Sequence, residues 1–243
     1  MTAAPAPTRW MPLLIGLSVL YALLQWLAAE FNSVRGEAGL IIAGCVLAAA
    51  IFLQVILFKQ GFREAALSLG LGRPAPRGLL VAAAFFALLL VYPIYAASQN
   101  ASLSLYPNTA WLALGILAQG GVAEEAVFRG YLFGHLRRTN SFWRAALISM
   151  APFAFVHLFI FLIMPWQIAL AAFALSVAIS FPLAHLYELG GRTIWAAALA
   201  HALVQGAVKL IVVEPMGAFP IVWMVVSAAA PWLVFLVKRP SSP

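Results

Sequence analysis

Residues 120–130 read Gly-Gly-Val-Ala-Glu-Glu-Ala-Val-Phe-Arg-Gly, which places two adjacent carboxylates in the middle of an apolar run. An ionisable side chain at membrane depth is costly, so by default such a residue marks a functional site. The chain has only 7 acidic residues, and all of them are glutamates. Glu124 and Glu125 are therefore not general surface charge, and the rest of the sequence has to account for them.

The composition of the whole chain indicates a membrane protein. Of its 243 residues, 65% are hydrophobic and 9% are charged, whereas soluble domains carry about 25% charged residues. No polar stretch is long enough for a separate soluble domain, so we expect one integral membrane domain over residues 1–243. The net charge of +7 is typical of basic cytoplasmic loops and does not indicate nucleic-acid binding.

The apolar runs predict the fold, because a helix needs about 20 apolar residues to cross the hydrocarbon of a bilayer. We expect an all-α polytopic transmembrane bundle of about eight spans, with the functional site inside the bundle. The expected spans are 11–29, 38–58, 79–97, 110–134, 145–164, 166–186, 193–213 and 219–237. The fifth and sixth spans nearly meet at Pro165, which indicates either a tight hairpin or a re-entrant pair.

The basic residues orient the predicted bundle. If the N-terminus is cytoplasmic, only Arg35 among the basic loop residues faces outward. The basic residues that then face the cytoplasm are Arg9, Lys59, Arg63, Arg73, Arg77, Arg137, Arg138, Arg144, Arg192, Lys238 and Arg239. Lys and Arg concentrate in cytoplasmic loops, so we expect both termini in the cytoplasm. The expected location is the plasma membrane of a bacterium or an archaeon.

Three expected spans place polar side chains in one layer of the membrane. At 1.5 Å per residue, Glu124 lies roughly 15 Å, His157 roughly 18 Å and His201 roughly 12 Å from the cytoplasmic end of its span. Gln205 follows His201 by four residues and shares its helix face. A single histidine in a span is more often a helix–helix hydrogen-bonding residue than a catalyst. Three polar positions at matched depth indicate one buried polar site.

Spacing along the helix separates the two glutamates. Glu125 and Arg129 are four residues apart and can pair on one helix face, and pairing makes a buried charge tolerable. We interpret these two residues as structural support for the site. Glu124 points about 100° away from Glu125 and has no partner within its own helix, which makes it the candidate for chemistry.

The residue types that are missing exclude several mechanisms. The chain has no Asp, which excludes an aspartyl protease and a Ser-His-Asp triad. It has no His-Glu-x-x-His pair, no Gly-x-Ser-x-Gly elbow and no phosphate-binding glycine loop. A carboxylate that acts as a general base toward water, with imidazole and carboxamide groups that stabilise an oxyanion, suits hydrolysis of a peptide bond.

Three motifs on separate spans together resemble one known family, the CAAX-protease and bacteriocin-processing family of glutamate-dependent, abortive-infection-type intramembrane endopeptidases. The motifs, in order, are Glu124-Glu125-x-x-x-Arg129, Phe153-x-x-x-His157 and His201-x-x-x-Gln205. The resemblance covers about residues 110–206, the core of that family. The third motif departs from the family, which typically has Asn where this chain has Gln205. Gln keeps the carboxamide but places it one methylene farther out.

The resemblance implies a role for each matched residue. Glu124, helped by His157, activates the water, while His201 and Gln205 hold the carbonyl oxygen as charge develops on it. The family has often been labelled metalloprotease. Zinc bound by Glu124, His157 and His201 with one open position is therefore the alternative to the metal-free site that we favour.

We therefore expect a hydrolase, an endopeptidase that cleaves a membrane-anchored or lipidated peptide near the cytoplasmic side. A prenylated C-terminal motif, a peptide precursor and a C-terminal sorting anchor are all compatible substrates. Two non-enzyme alternatives stay open. Buried Glu and His also form proton relays in transporters, although the internal repeats of transporters are not visible here. An immunity-type protein that binds a peptide without cutting it is the other alternative, with Gln205 as the mark of lost catalysis.

Overall fold

Long helices and one small ribbon of strands form the chain between residues 9 and 239, the part that the computed structural model describes. The helices are α1 (Trp10–Glu30), α2 (Gly39–Phe58), α3 (Phe62–Ser68), α4 (Pro76–Gln99), α5 (Thr109–Leu136), α6 (Phe142–Leu162), α7 (Trp166–Leu189), α8 (Trp195–Leu210) and α9 (Phe219–Leu236). The strands are β1 (Ser102–Leu105) and β2 (Ile211–Glu214).

Seven of these helices are long and apolar enough to cross a membrane, namely α1, α2, α4, α5, α6, α7 and α9. This confirms the predicted all-α polytopic bundle. Residues 163–165 alone connect α6, which has 21 residues, to α7, which has 24. Because both helices reach membrane length, the connection at Pro165 is a tight hairpin between two full spans rather than a re-entrant pair.

The seventh expected span, 193–213, is shorter than predicted. α8 covers 16 residues, or about 24 Å, and the backbone becomes extended at Ile211. The extended segment pairs antiparallel with β1, so that Leu105 lies opposite Ile211. This two-stranded ribbon was not predicted. Its hydrogen bonds replace the last helical turn of the expected span.

α8 still runs the full length of the bundle. At its start, the Ile194 amide donates to the Gly70 carbonyl at 3.0 Å, just after α3. At its far end, the Tyr106 amide donates to the Leu210 carbonyl at 2.8 Å. The two ends of α8 therefore contact loops at opposite ends of the bundle, which is the path that an eighth crossing requires.

The basic loops gather at one end of the bundle, which we call the basic end (residues 59–75, 137–141 and 190–194). There the Glu188 carboxylate accepts from Arg137 and, at 3.3 Å, from Arg239. At the opposite end, the Arg35 guanidinium lies 4.5 Å from the centre of the Tyr106 ring. The basic loop residues and Arg35 therefore lie at opposite ends of the bundle, as the predicted membrane orientation requires. That the basic end faces the cytoplasm stays a prediction.

α5 is the central helix. In the most apolar stretch of α5, 61% of the residues are buried within the bundle, whereas the corresponding share in the other spans is 28% to 44%. Its middle is wound as π-helix over Leu117–Ala123 and Ala126–Phe133, on both sides of Glu124 and Glu125. π-helical turns are rare and are frequently found at functional sites. The helix that carries the two glutamates therefore has an unusual, wider backbone at the position of the site.

Candidate active site

Glu125 is the centre of a buried hydrogen-bond cluster. Its side chain is 0% exposed, and its Oε1 accepts from Arg129 Nη1 at 2.9 Å and from His201 Nδ1 at 2.8 Å. The ion pair with Arg129 has the four-residue spacing that the sequence predicted. The bond to His201 was not predicted. Because it connects α5 to α8, Glu125 joins the two helices that carry most of the candidate site.

Glu124 lies beside this cluster, but its side chain is partly exposed at the surface of the protein. Its side chain is 23% exposed, and its Oε2 lies 3.9 Å from His201 Nε2. Within the described residues, no Lys or Arg forms an ion pair with this carboxylate. Glu124 has no partner in its own helix, as expected, and its nearest charged neighbour on another helix is His201.

The bond to Glu125 determines which nitrogen of His201 carries a proton. A carboxylate only accepts hydrogen bonds, so Nδ1 must be the donor. The other nitrogen, Nε2, faces Glu124. It is an acceptor when the ring is neutral and a donor when the ring is doubly protonated.

His157 lies at the end of the regular helical part of α6, and its Nδ1 donates to the Phe153 carbonyl at 2.7 Å. Nε2 of the neutral ring is therefore left as an acceptor. In the described part of the chain, His157 makes no direct hydrogen bond to Glu124. Both histidine rings pack against Phe153. The centre of the Phe153 ring lies 5.0 Å from that of His157 and 5.7 Å from that of His201.

Phe153 is a site residue whose role the sequence motif alone did not explain. It is 1% exposed. Besides the two histidines, it contacts the Arg129 guanidinium, which lies 4.3 Å from the ring centre. A cation over an aromatic face is stabilised by about 0.5–2 kcal/mol. Phe153 therefore holds α6 against the Arg129 side of α5 and sets the position of His157.

Gln205 follows His201 by one helical turn, and its amide Nε2 is buried without a hydrogen-bond partner among the described residues. A Cβ atom at Gly120 would lie 1.6 Å from this nitrogen. The absence of a side chain at Gly120 therefore provides the room that the longer Gln needs. A buried amide without a partner costs free energy, and here it leaves an unused donor beside Gly120, one helical turn from His201.

The histidine and glutamate side chains do not form a metal centre as placed. Among residues 9–239 there is no group of three His, Cys or carboxylate side chains that could bind one ion. The set proposed for zinc was Glu124, His157 and His201. In both histidines Nδ1 is held by another group, which leaves Nε2 as the nitrogen that could bind a metal. Zinc held by these residues stays the alternative to the metal-free site.

Residues 106–207 match the family model described as type II CAAX prenyl endopeptidase Rce1-like. This segment is similar to the Rce1-like CAAX proteases. The match confirms the resemblance seen over about 110–206, and it contains Glu124, His157, His201 and Gln205. No curated protein matches the chain.

The similarity to the Rce1-like family points to a peptidase. Together with seven helices of membrane length, it indicates an integral membrane protein with a membrane-associated substrate. The Rce1-like segment runs from just before α5 into the last turn of α8. The whole hydrogen-bond cluster around Glu125 lies inside it, while α1, α2, α3, α4 and α9 lie outside.

Proposed function

We propose that this Rce1-like protein is an intramembrane endopeptidase that hydrolyses a peptide bond of a membrane-anchored or lipidated substrate near the cytoplasmic side. One observation carries the proposal. Glu124 is a partly exposed carboxylate inside a transmembrane bundle, it has no Lys or Arg paired to it in the described chain, and it faces His201. A carboxylate in that position is available as a general base toward water.

Glu124 takes a proton from the water as the water oxygen attacks the carbonyl carbon. His157 supports this step, because its Nε2 is the acceptor left free by the bond from Nδ1 to Phe153. The tetrahedral intermediate then collapses, the C–N bond breaks, and Glu124 returns the proton to the leaving amine. One water is consumed, and the carboxylate ends the cycle in its starting state.

Two donors on α8 stabilise the oxyanion in this proposal. Gln205 supplies its buried amide Nε2. His201 supplies Nε2, which requires a doubly protonated ring because Nδ1–H is already bound to Glu125. The carboxylates of Glu125 and Glu124 lie on the two sides of the ring and offset its positive charge. Removal of one such donor typically lowers kcat by about 10²–10³-fold.

The geometry at Gly120 favours catalysis over peptide binding without cleavage. The binding-only alternative was based on Gln205 in place of the Asn that the family typically has. Gly120 leaves room for the longer side chain, and the carboxamide keeps a donor without a partner among the described residues, which supports a role for Gln205 in catalysis. The exchange is therefore accommodated by the opposing helix.

Terminal-peptide proteomics on membranes from cells that express the wild type, Glu124→Gln or Glu64→Gln tests the proposal. Glu124→Gln keeps the shape of the side chain and removes the base. Glu64 is exposed on α3, so Glu64→Gln is a matched control. We expect new peptide ends with the wild type and the control, and none with Glu124→Gln at equal amounts of folded protein. Identical peptide ends in all three samples contradict an endopeptidase and favour the binding alternative.

A further inference from the structure

A small cavity at the basic end is lined by three arginines and, among the described residues, by no carboxylate. Its volume is about 140 Å³. It is lined by Arg137 and Arg138, which follow α5, by Arg192, which precedes α8, and by Tyr187 in the last turn of α7. Within residues 9–239, Arg138 and Arg192 form no ion pair. The positive charge of these two guanidinium groups is therefore not offset by the protein.

Arg137 is the paired member of the three arginines. Its Nε donates to the Glu188 carboxylate, which also accepts from Arg239 at 3.3 Å. Glu188 and Arg239 line a neighbouring cavity rather than the small one. Glu188 is therefore already shared by two arginines, and Arg138 and Arg192 remain available to an anion from outside.

Tyr187 brings a buried hydroxyl to the same cavity. The residue is 4% exposed, and its ring packs edge to face with Phe133, with 5.7 Å between the ring centres. Its hydroxyl lies beside Gly134, where a Cβ atom would be 3.1 Å away. The hydroxyl makes no hydrogen bond to another described residue, although a buried tyrosine O–H usually finds a partner. The cavity therefore contains an unused donor that is itself buried.

We propose that this cavity binds a phosphate group. The unpaired groups in it, two guanidiniums and one phenolic hydroxyl, all donate hydrogen bonds, and guanidinium groups match the oxygens of phosphate in pairs. Drug-sized ligands occupy pockets of about 300–1,000 Å³, so a cavity of about 140 Å³ suits a single oxyanion group rather than a whole nucleotide. The inference is independent of the proposed peptidase activity.

The surroundings of the cavity favour the headgroup of an anionic phospholipid as the carrier of this phosphate. Leu67 lines the cavity and is exposed, and Phe62 on the same short helix, α3, is also exposed. Apolar side chains of this kind contact the acyl region when a helix lies in the membrane interface, and basic pockets between transmembrane helices bind lipid headgroups. A headgroup held by both Arg138 and Arg192 links the end of α5 to the start of α8, the two helices that carry most of the candidate site.

Thermal unfolding of the full chain in a neutral detergent tests the site with three probes. They are phosphatidic acid, diacylglycerol with the same acyl chains, and inorganic phosphate. A ligand that binds only the folded protein raises the unfolding temperature, and we expect saturating phosphatidic acid to raise it by about 5 °C. Diacylglycerol should leave it unchanged. The shift should be lost in Arg138→Gln and Arg192→Gln, and it should be reduced in Tyr187→Phe, which keeps the ring and removes the donor.

Arg63→Gln is the matched control, because Arg63 is an exposed arginine of α3 that does not line the cavity. This variant should show the wild-type shift. Equal losses in Arg63→Gln and Arg192→Gln would reveal only general attraction between anionic lipid and the basic end, and would overturn the site. A full shift in Arg192→Gln, or none in the wild type, overturns it as well. An equal shift from inorganic phosphate at the same concentration, lost in Arg192→Gln, retains the phosphate site and rejects the lipid as its carrier.

Discussion

Glu124 and Glu125 are the same residue type in two different environments. Glu125 is fully buried and accepts two hydrogen bonds on one oxygen, from Arg129 and His201. Glu124 is 23% exposed and lies 3.9 Å from the second nitrogen of the same histidine. One carboxylate therefore orients the imidazole, and the other is left to act on a substrate or a water.

Glu125→Ala should destabilise the protein strongly. The substitution leaves the Arg129 guanidinium buried without its carboxylate, and the loss of one partner from a buried ion pair costs about 3–5 kcal/mol. Unfolding in detergent, followed by circular dichroism against denaturant, measures the change. Glu188→Ala is the control, because its partners Arg137 and Arg239 are 17% and 28% exposed, and we expect a smaller loss. Equal losses in the two variants would show that the Glu125 cluster is not the stronger anchor.

Gln205→Leu should lower kcat by about 10²–10³-fold, the usual cost of one oxyanion donor, with little change in KM. Gln205→Asn keeps the carboxamide and should retain more activity than the Leu variant. Steady-state kinetics on a substrate identified by its cleaved end provides the measurement. Wild-type turnover in Gln205→Leu would exclude the amide as an oxyanion donor.

At the scale of elements, small residues let α5 and α8 pack closely together, and these two helices carry most of the candidate site. Gly120 on α5 gives space to Gln205 on α8. A Cβ atom at Gly121 would lie 2.7 Å from the Ala198 carbonyl. The close approach of the two helices brings the π-wound part of α5 against the start and middle of α8. Close helix contact through small residues is the usual arrangement inside membranes.

Gly120→Ala should reduce activity more than it reduces stability. The added methyl group meets the Gln205 amide, a flexible side chain that can move away, so the oxyanion donor is displaced while the fold persists. Gly44→Ala is the matched control, because a Cβ at Gly44 has nothing within 4 Å. That control should be neutral or stabilising by about 0.5–1 kcal/mol. Parallel measurement of kcat and of thermal unfolding for both variants separates the two effects, and full activity in Gly120→Ala would contradict the role of this space.

The sequence predicts elements where one chemical pattern dominates. Apolar runs located the long helices, and the four-residue spacing identified the Glu125–Arg129 pair. The similar distances of Glu124 and His201 from the cytoplasmic ends of their spans predicted that the two residues lie in one layer of the membrane. The bond from His201 to Glu125 was missed because it depends on the rotation of α8 about its own axis relative to α5. The π winding and the β1–β2 ribbon were missed because both arise from contacts between segments that are distant in the chain.

At the scale of the whole molecule, the bundle has two chemically different ends. The basic end carries most of the arginines, two of which pair with Glu188. The opposite end consists of the α1–α2 loop, the β1–β2 ribbon and the α6–α7 hairpin. The distribution of Lys and Arg predicts that the basic end is cytoplasmic. With eight crossings, residues 9 and 239 lie at the same end of the bundle, and we expect that end to be cytoplasmic.

Labelling of single cysteines tests this orientation. In a Cys45→Ala background, Glu64→Cys marks the basic end and Ser104→Cys marks the opposite end, since both positions are exposed. A membrane-impermeant maleimide applied to intact bacterial cells should label only the Ser104 variant, and it should label both after permeabilisation. Labelling of the Glu64 variant alone would reverse the orientation. Labelling of both in intact cells would contradict the single crossing by α4 that separates the two positions.

The shortness of α8 has a consequence for the lipid around the protein. Its 16 residues cover about 24 Å, whereas the hydrocarbon of a typical bilayer is about 30 Å thick. A helix shorter than the hydrocarbon is accommodated by local thinning of the bilayer. We therefore expect the headgroups and their hydration water to lie closer to the middle of the membrane where the partly exposed face of α8 meets lipid. The solvent that hydrolysis consumes would then have a shorter apolar distance to travel, and a substrate anchored in the leaflet would need a smaller displacement to reach the site.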